Sequence, residues 1–181
     1  MGKSGTVLLS VVVGVAAFVV ATIWAGELGE TLQKYQHAID TWDRTDQSTL
    51  QASVTLGNVP PQGRDWTDQM SRLTNTEVGA LGELFRDGVI FGTMPTRFGK
   101  IIDEEQTLDE DAKKVVTPDD AVAVGGKMRA LIKDASTLGG AVEIFTKEQY
   151  DKVDKRRTLV KYGGYVLGVL AIIVAGIAGS R

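Results

Sequence analysis

The chain has 181 residues, with 20 Lys+Arg against 23 Asp+Glu and no cysteine. The lack of cysteine removes disulfides, thiolate zinc sites, iron–sulfur clusters and cysteine nucleophiles. Without Lys3, Lys161 and Arg181 the segment between two long apolar runs carries 17 Lys+Arg against 23 Asp+Glu, a net −6, which argues against nucleic acid as a main partner. The runs, one at each end, leave room for one modest domain between them.

Residues 6–25 carry Thr6, Ser10 and Thr22 as their only polar side chains. At about 1.5 Å rise per residue such a run crosses a hydrocarbon core of about 30 Å as one helix. It is expected to be transmembrane helix 1, after a short tail of residues 1–5. Lys3 before it and Ala25-Gly26 after it also fit a secretory signal, but the stretch exceeds the usual apolar core of about 7–15 residues, so a retained helix is expected. Ser10, Gly14, Ala17, Ala21 and Ala25 share one helical face, which lets another backbone approach closely. Trp24 lies where the run stops.

The helix is expected to continue through residues 26–43, because Leu28, Leu32, Tyr35, Ile39 and Trp42 form an alternating four-and-three seam interleaved with charges. Residues 45–62 are rich in Thr, Ser and Gln and end in the breaker Asn58-Val59-Pro60-Pro61, with a short helix expected over 47–56. Residues 66–73 read as a helical turn or two. Thr74 and Glu77 then form a capping box that opens a helix with Val78, Leu81, Leu84, Phe85 and Val89 on one face. Gly79, Gly82 and Gly88 weaken that helix.

Residues 92–100, containing Met94-Pro95, read as a loop, and 101–111 are the acidic stretch IIDEEQTLDED. Thr117 as N-cap, Pro118 at the first helical position and Asp119-Asp120 in the first turn start a helix expected to reach about Ala135. That helix is expected to bury Ala121, Val124, Met128, Leu131 and Ile132. Gly139-Gly140 marks a turn. A second capping box, Thr146 with Gln149, opens a helical lead-in over 146–161 that runs without a proline into transmembrane helix 2 at 159–179. Residues 180–181 are a tail.

Chemistry-bearing patterns are few. His37 is the one histidine, and a lone imidazole makes neither a zinc site nor a base with a positioned partner. Gly125-Gly126-Lys127 lacks the earlier glycine and the following Ser/Thr of a phosphate-binding loop. No enzyme activity, cofactor or metal is expected. Asp103, Asp109 and Asp111 are the candidate cation ligands, but the order of an EF-hand is missing and a solvated face is the simpler expectation.

The flank of the second run is more specific. Lys152, Lys155, Arg156, Arg157 and Lys161 crowd its domain side, and Trp24, Tyr162 and Tyr165 fall at the same level, as lipid head-group contacts and an aromatic belt would. The charge bias places the domain on the cytoplasmic side with both termini opposite. Gly164, Gly168, Ala171, Ala175 and Gly179 repeat every three or four residues along the second run and invite close helix pairing.

The expected fold is an all-α integral membrane protein: two transmembrane helices continuing into long extramembrane helices that carry a small helical domain, residues 26–158. The expected role is a non-enzymatic structural, scaffolding or accessory subunit of an oligomeric membrane assembly, a virion among the settings. Its partners would be the lipid bilayer, copies of itself or other subunits, and no nucleic acid. One alternative is a membrane-anchored sensor or regulator whose domain binds a small ligand or ion. The other, a small pore-forming or lysis protein, is disfavoured because no ionisable group lies deep in either run.

Overall fold

The structure, a computed structural model, describes residues 3–61, 63–88 and 92–180, with backbone alone at 3, 4, 6 and 178–180. Val89, expected on a buried helix face, and the surroundings of Lys3 and Gly179 lie outside the described residues. Within them the chain forms four helices joined by short turns, α1 (Lys3–Gly57), α2 (Arg64–Asp87), α3 (Met94–Lys113) and α4 (Pro118–Ser180). It divides into two compact units, one made of Met1–Gln33 with Tyr150–Arg181 and the other of Lys34–Gln149.

In the Lys34–Gln149 unit all four helices surround one core. α1 supplies Ala38 and Trp42, α2 supplies Trp66, Met70, Leu81 and Leu84, α3 supplies Ile101 and Leu108, and α4 supplies Met128, Leu131, Leu138 and Val142. The two tryptophans are seated by glycines of α4. A Cβ at Gly139 would collide with the indole of Trp42, and one at Gly125 with that of Trp66. The Trp66 indole N–H also donates to the Leu56 carbonyl at 3.0 Å, which ties the start of α2 to the end of α1. α2 and α3 meet through Phe85 and Phe98, stacked with ring centroids 4.5 Å apart.

Several expected boundaries are absent from the structure. α1 runs on past Asp43 to Gly57. The hydroxyls that made residues 45–62 look irregular are absorbed along the helix, Ser48 donating to the Thr45 carbonyl, Ser53 to Leu50 and Thr55 to Gln51, each at 2.9 Å. Thr74 does not cap a helix either. Its hydroxyl donates to the Met70 carbonyl at 3.0 Å within α2, which starts a full ten residues earlier at Arg64. Met94-Pro95 opens α3 where a loop was expected, because proline at a first-turn position needs no N–H partner.

α4 passes through Gly139-Gly140 and Thr146 without a break. Gly139 marks the bed of Trp42, not a turn, and the Thr146 hydroxyl donates to the Val142 carbonyl at 2.8 Å. The start at Thr117-Pro118 is where the sequence puts it. Asp120 N–H donates to the Thr117 hydroxyl oxygen at 3.2 Å, while the Asp120 carboxylate accepts from the Thr117 N–H at 3.0 Å. These contacts hold the Asp120 carboxyl below the usual carboxylate range. Ala121, Met128, Leu131 and Ile132 are buried and Val124 is half-buried.

Candidate functional site

In the unit of Met1–Gln33 and Tyr150–Arg181 the two long helices lie against each other in antiparallel register. Gly14 of α1 faces Ala171 and Gly168 of α4, and Ala21, one heptad further along, faces Gly164, one heptad back. A Cβ at Gly14 would sit 2.6 Å from the Ala171 Cβ, and one at Gly164 would collide with the Ala21 Cβ. Glycine therefore keeps both crossings open. Gly14, Gly164 and Ala175 are buried, and Ser10, Ala17, Ala21, Ala25, Gly168 and Ala171 are half-buried. The small-residue faces of the two runs thus meet each other within one chain.

The outward sides of this pair are apolar. Leu8, Val12, Val19 and Ile23 of α1 and Val166, Leu170 and Ile173 of α4 are exposed. Both helices are long and apolar enough to cross a membrane, and only 11 % of the most apolar window in each is buried, unlike the core helices of a water-soluble domain. Trp24, Tyr162 and Tyr165 are exposed, as are Lys152, Lys155, Arg156, Arg157 and Lys161. The Arg157 side chain reaches across to α1, where a Cβ at Gly29 would meet its Nη2 at 3.3 Å. Leu28 and Leu32 of the expected seam belong to this unit, half-buried and buried respectively.

Two clefts open on one side of the pair and share Phe18 and Tyr165, whose rings lie 5.6 Å apart. The first, about 230 Å³, lies among Phe18, Thr22, Gly26, Arg157, Lys161 and Tyr165. The second, about 420 Å³, is walled by Val11, Phe18, Tyr165 and Ile172 and floored by Gly14 and Gly168.

In the Lys34–Gln149 unit, Ile39 and Trp42 of the seam are buried and Tyr35 is half-buried, while His37 is exposed. The acidic stretch forms most of α3, with Ile101, Leu108 and Ala112 on its inner face. Its candidate ligands do not converge. Asp103 is exposed, Asp109 accepts a hydrogen bond from the Ser71 hydroxyl of α2 and lies 3.9 Å from Lys113, and Asp111 pairs with Lys114 at 3.3 Å. Among the described residues no group of three or more His, Cys, Asp or Glu could hold a metal ion.

The buried carboxyl of this unit is one the sequence reading gave to a helix cap. Glu77 has no exposed surface and lies in the α1–α2 interface beside Asp46 and Thr49. The Glu77 carboxyl lies within hydrogen-bonding reach of the Asp46 carboxyl and the Thr49 side chain, and since two carboxylates can only accept, a bond between Glu77 and Asp46 needs the proton on one of them. Burial first, then the Asp46 carboxyl, push the Glu77 carboxyl up to about 8 from an ordinary 4.5, against a lowering contact from Thr49. A signal for it was present: Met70, Thr74, Glu77, Leu81 and Leu84 are spaced four, three, four and three, which puts Glu77 on the inner face of α2.

Comparison with known protein families, curated proteins and solved structures gives no match.

Proposed function

We propose that this chain is a two-span membrane protein with a non-enzymatic, structural role: a scaffold or accessory subunit of a membrane assembly. The observation that carries this reading is the helix pair. Its small residues mesh inward at Gly14, Ala21, Gly164 and Ala171, while its outward surface is apolar and exposed. In lipid the apolar surface itself gives no reason for helices to associate, so close backbone approach at small residues supplies the contact. On this reading Trp24, Tyr162 and Tyr165 with the basic flank sit at one bilayer surface, and the excess of Lys and Arg there supports a cytoplasmic Lys34–Gln149 unit.

The small faces are occupied within the chain, so contacts between subunits fall to other surfaces. Exposed apolar side chains of the Lys34–Gln149 unit, Val54, Val116, Val122 and Ile144, are available for them. The test is membrane extraction followed by sizing. The chain should resist alkaline carbonate, float with vesicles, and elute from a mild detergent as a discrete assembly larger than one chain by light scattering. A carbonate-soluble protein would overturn the two-span reading, and a strict monomer alone in its native membrane would overturn the assembly reading.

A further inference from the structure

We propose that the side of the helix pair bearing Phe18 and Tyr165 is a binding site for one acidic phospholipid. Its phosphate is held by Arg157 and Lys161, and an acyl chain lies in the trough floored by Gly14 and Gly168. This rests on the two-span reading.

The polarity of the site runs in the order of a phospholipid. Arg157, Lys161, Tyr165, Gly168 and Ile172 follow one another along α4 at steps of three or four and so line one face. Charge comes first, then an aromatic ring, then hydrocarbon. Across from them Thr22, Phe18, Gly14 and Val11 of α1 complete the walls. The two clefts share Phe18 and Tyr165, so the basic mouth and the apolar trough adjoin at that ring pair. At about 420 Å³ the trough is within the range of small-ligand cavities.

Among the described residues no carboxylate lies within ion-pair distance of Arg157 or Lys161; other basic side chains such as Lys152 and Lys155 are likewise unpaired, and what sets these two apart is that they line the cleft. Arg157 lines the mouth, and its guanidinium rests against α1 beside Gly29. The groove on the other side of the pair supplies the contrast. It is comparably large, about 570 Å³, and is lined by residues such as Val13, Val20, Trp24, Leu159 and Leu167 without any charged side chain. A basic mouth is therefore not a feature of every groove along these helices, and charge complementarity selects an acidic lipid for this one.

The experiment uses the full chain in mild detergent, titrated with dioleoyl phosphatidylglycerol or dioleoyl phosphatidylcholine and read by native mass spectrometry, with vesicle flotation of every variant in parallel. One phosphatidylglycerol should be retained about thirtyfold more tightly than phosphatidylcholine, as two basic residues at a membrane surface provide. The double variant Arg157→Gln/Lys161→Gln should lose that preference, and Lys152→Gln/Lys155→Gln, with the same charge change outside the clefts, should keep it. Gly168→Leu, which fills the trough, should weaken retention of both lipids. Glycerol 3-phosphate should not compete. Equal retention of the two lipids, equal effects of the two basic pairs, an unaffected Gly168→Leu, or competition by glycerol 3-phosphate would each overturn the site while flotation persists. Failure of the parent to float would instead remove the two-span reading, and the site with it.

Discussion

A carboxyl group with no exposed surface costs several kcal/mol to ionise, and Glu77 avoids that cost by keeping its proton. Its consequence for stability has a definite sign. In the unfolded chain Glu77 ionises near 4.5 and in the folded chain near 8, so between those values the unfolded state gives up its proton first. The contribution of Glu77 to stability is fullest below about pH 4.5, falls as pH rises towards 8, and is flat above; the loss is roughly 4–5 kcal/mol at most. Melting followed by circular dichroism should show this contribution as a difference between the parent and Glu77→Gln, which cannot ionise: the parent should lose stability relative to the variant as pH rises from about 4.5 to 8. A slope unchanged in the variant would place the effect elsewhere. On α3 the acidic residues should separate by contact. Asp109→Asn weakens its bond with Ser71 and should cost about 1 kcal/mol, whereas exposed Asp103→Asn should stay within about 0.5 kcal/mol in denaturant melts. Equal costs would make the Ser71 contact irrelevant.

At the scale of the element, glycine acts here by what it leaves empty. Gly14 and Gly168 both lie on the small-residue faces, but an added methyl meets the Ala171 Cβ at 2.6 Å from Gly14 and only the Gly14 carbonyl, at 4.0 Å, from Gly168. Gly14→Ala should therefore lower the melting temperature of the detergent-solubilised chain, by an overpacking cost of about 1–3 kcal/mol, while Gly168→Ala should be close to neutral. Identical melting of the two variants would mean that α1 and α4 do not cross at Gly14. The same logic holds at Gly139, where the indole of Trp42 occupies the space of a side chain. Trp42→Ala should cost about 3–5 kcal/mol, and Gly139→Leu should unseat the indole and shift tryptophan fluorescence to longer wavelength. An unshifted spectrum in Gly139→Leu would contradict the contact.

For the whole molecule, the basic flank makes sidedness testable. Because the chain has no cysteine, single replacements at exposed Thr76 and Thr137 can be labelled without background. In intact cells both should be shielded from a membrane-impermeant thiol reagent, while Ser4→Cys should react. Labelling of the first two with shielding of the third would invert the orientation.

Helix content, the two apolar runs, their small-residue faces and the start at Thr117-Pro118 were legible in the sequence, because each depends on residues within a few turns of one another. The acidic stretch was also visible, though not that its Asp109 would be engaged by Ser71 of another helix. Where α1 ends, whether α4 breaks at Gly139-Gly140, and which role Glu77 takes were misread, since a local pattern has two meanings in each case. Thr74 with Glu77 spells a cap when read along the chain; packed against α1, the same pair becomes a hydroxyl returned to Met70 and a carboxyl sealed beside Asp46. Gly139 spells a turn until Trp42, nearly a hundred residues earlier, is laid on it. Local chemistry determined which segments are helical and which faces are small or apolar. Only the tertiary structure decided what each face meets, because burial of a tryptophan or a carboxyl is settled by groups remote in sequence and outweighs the fraction of a kcal/mol by which propensity favours one local form over another.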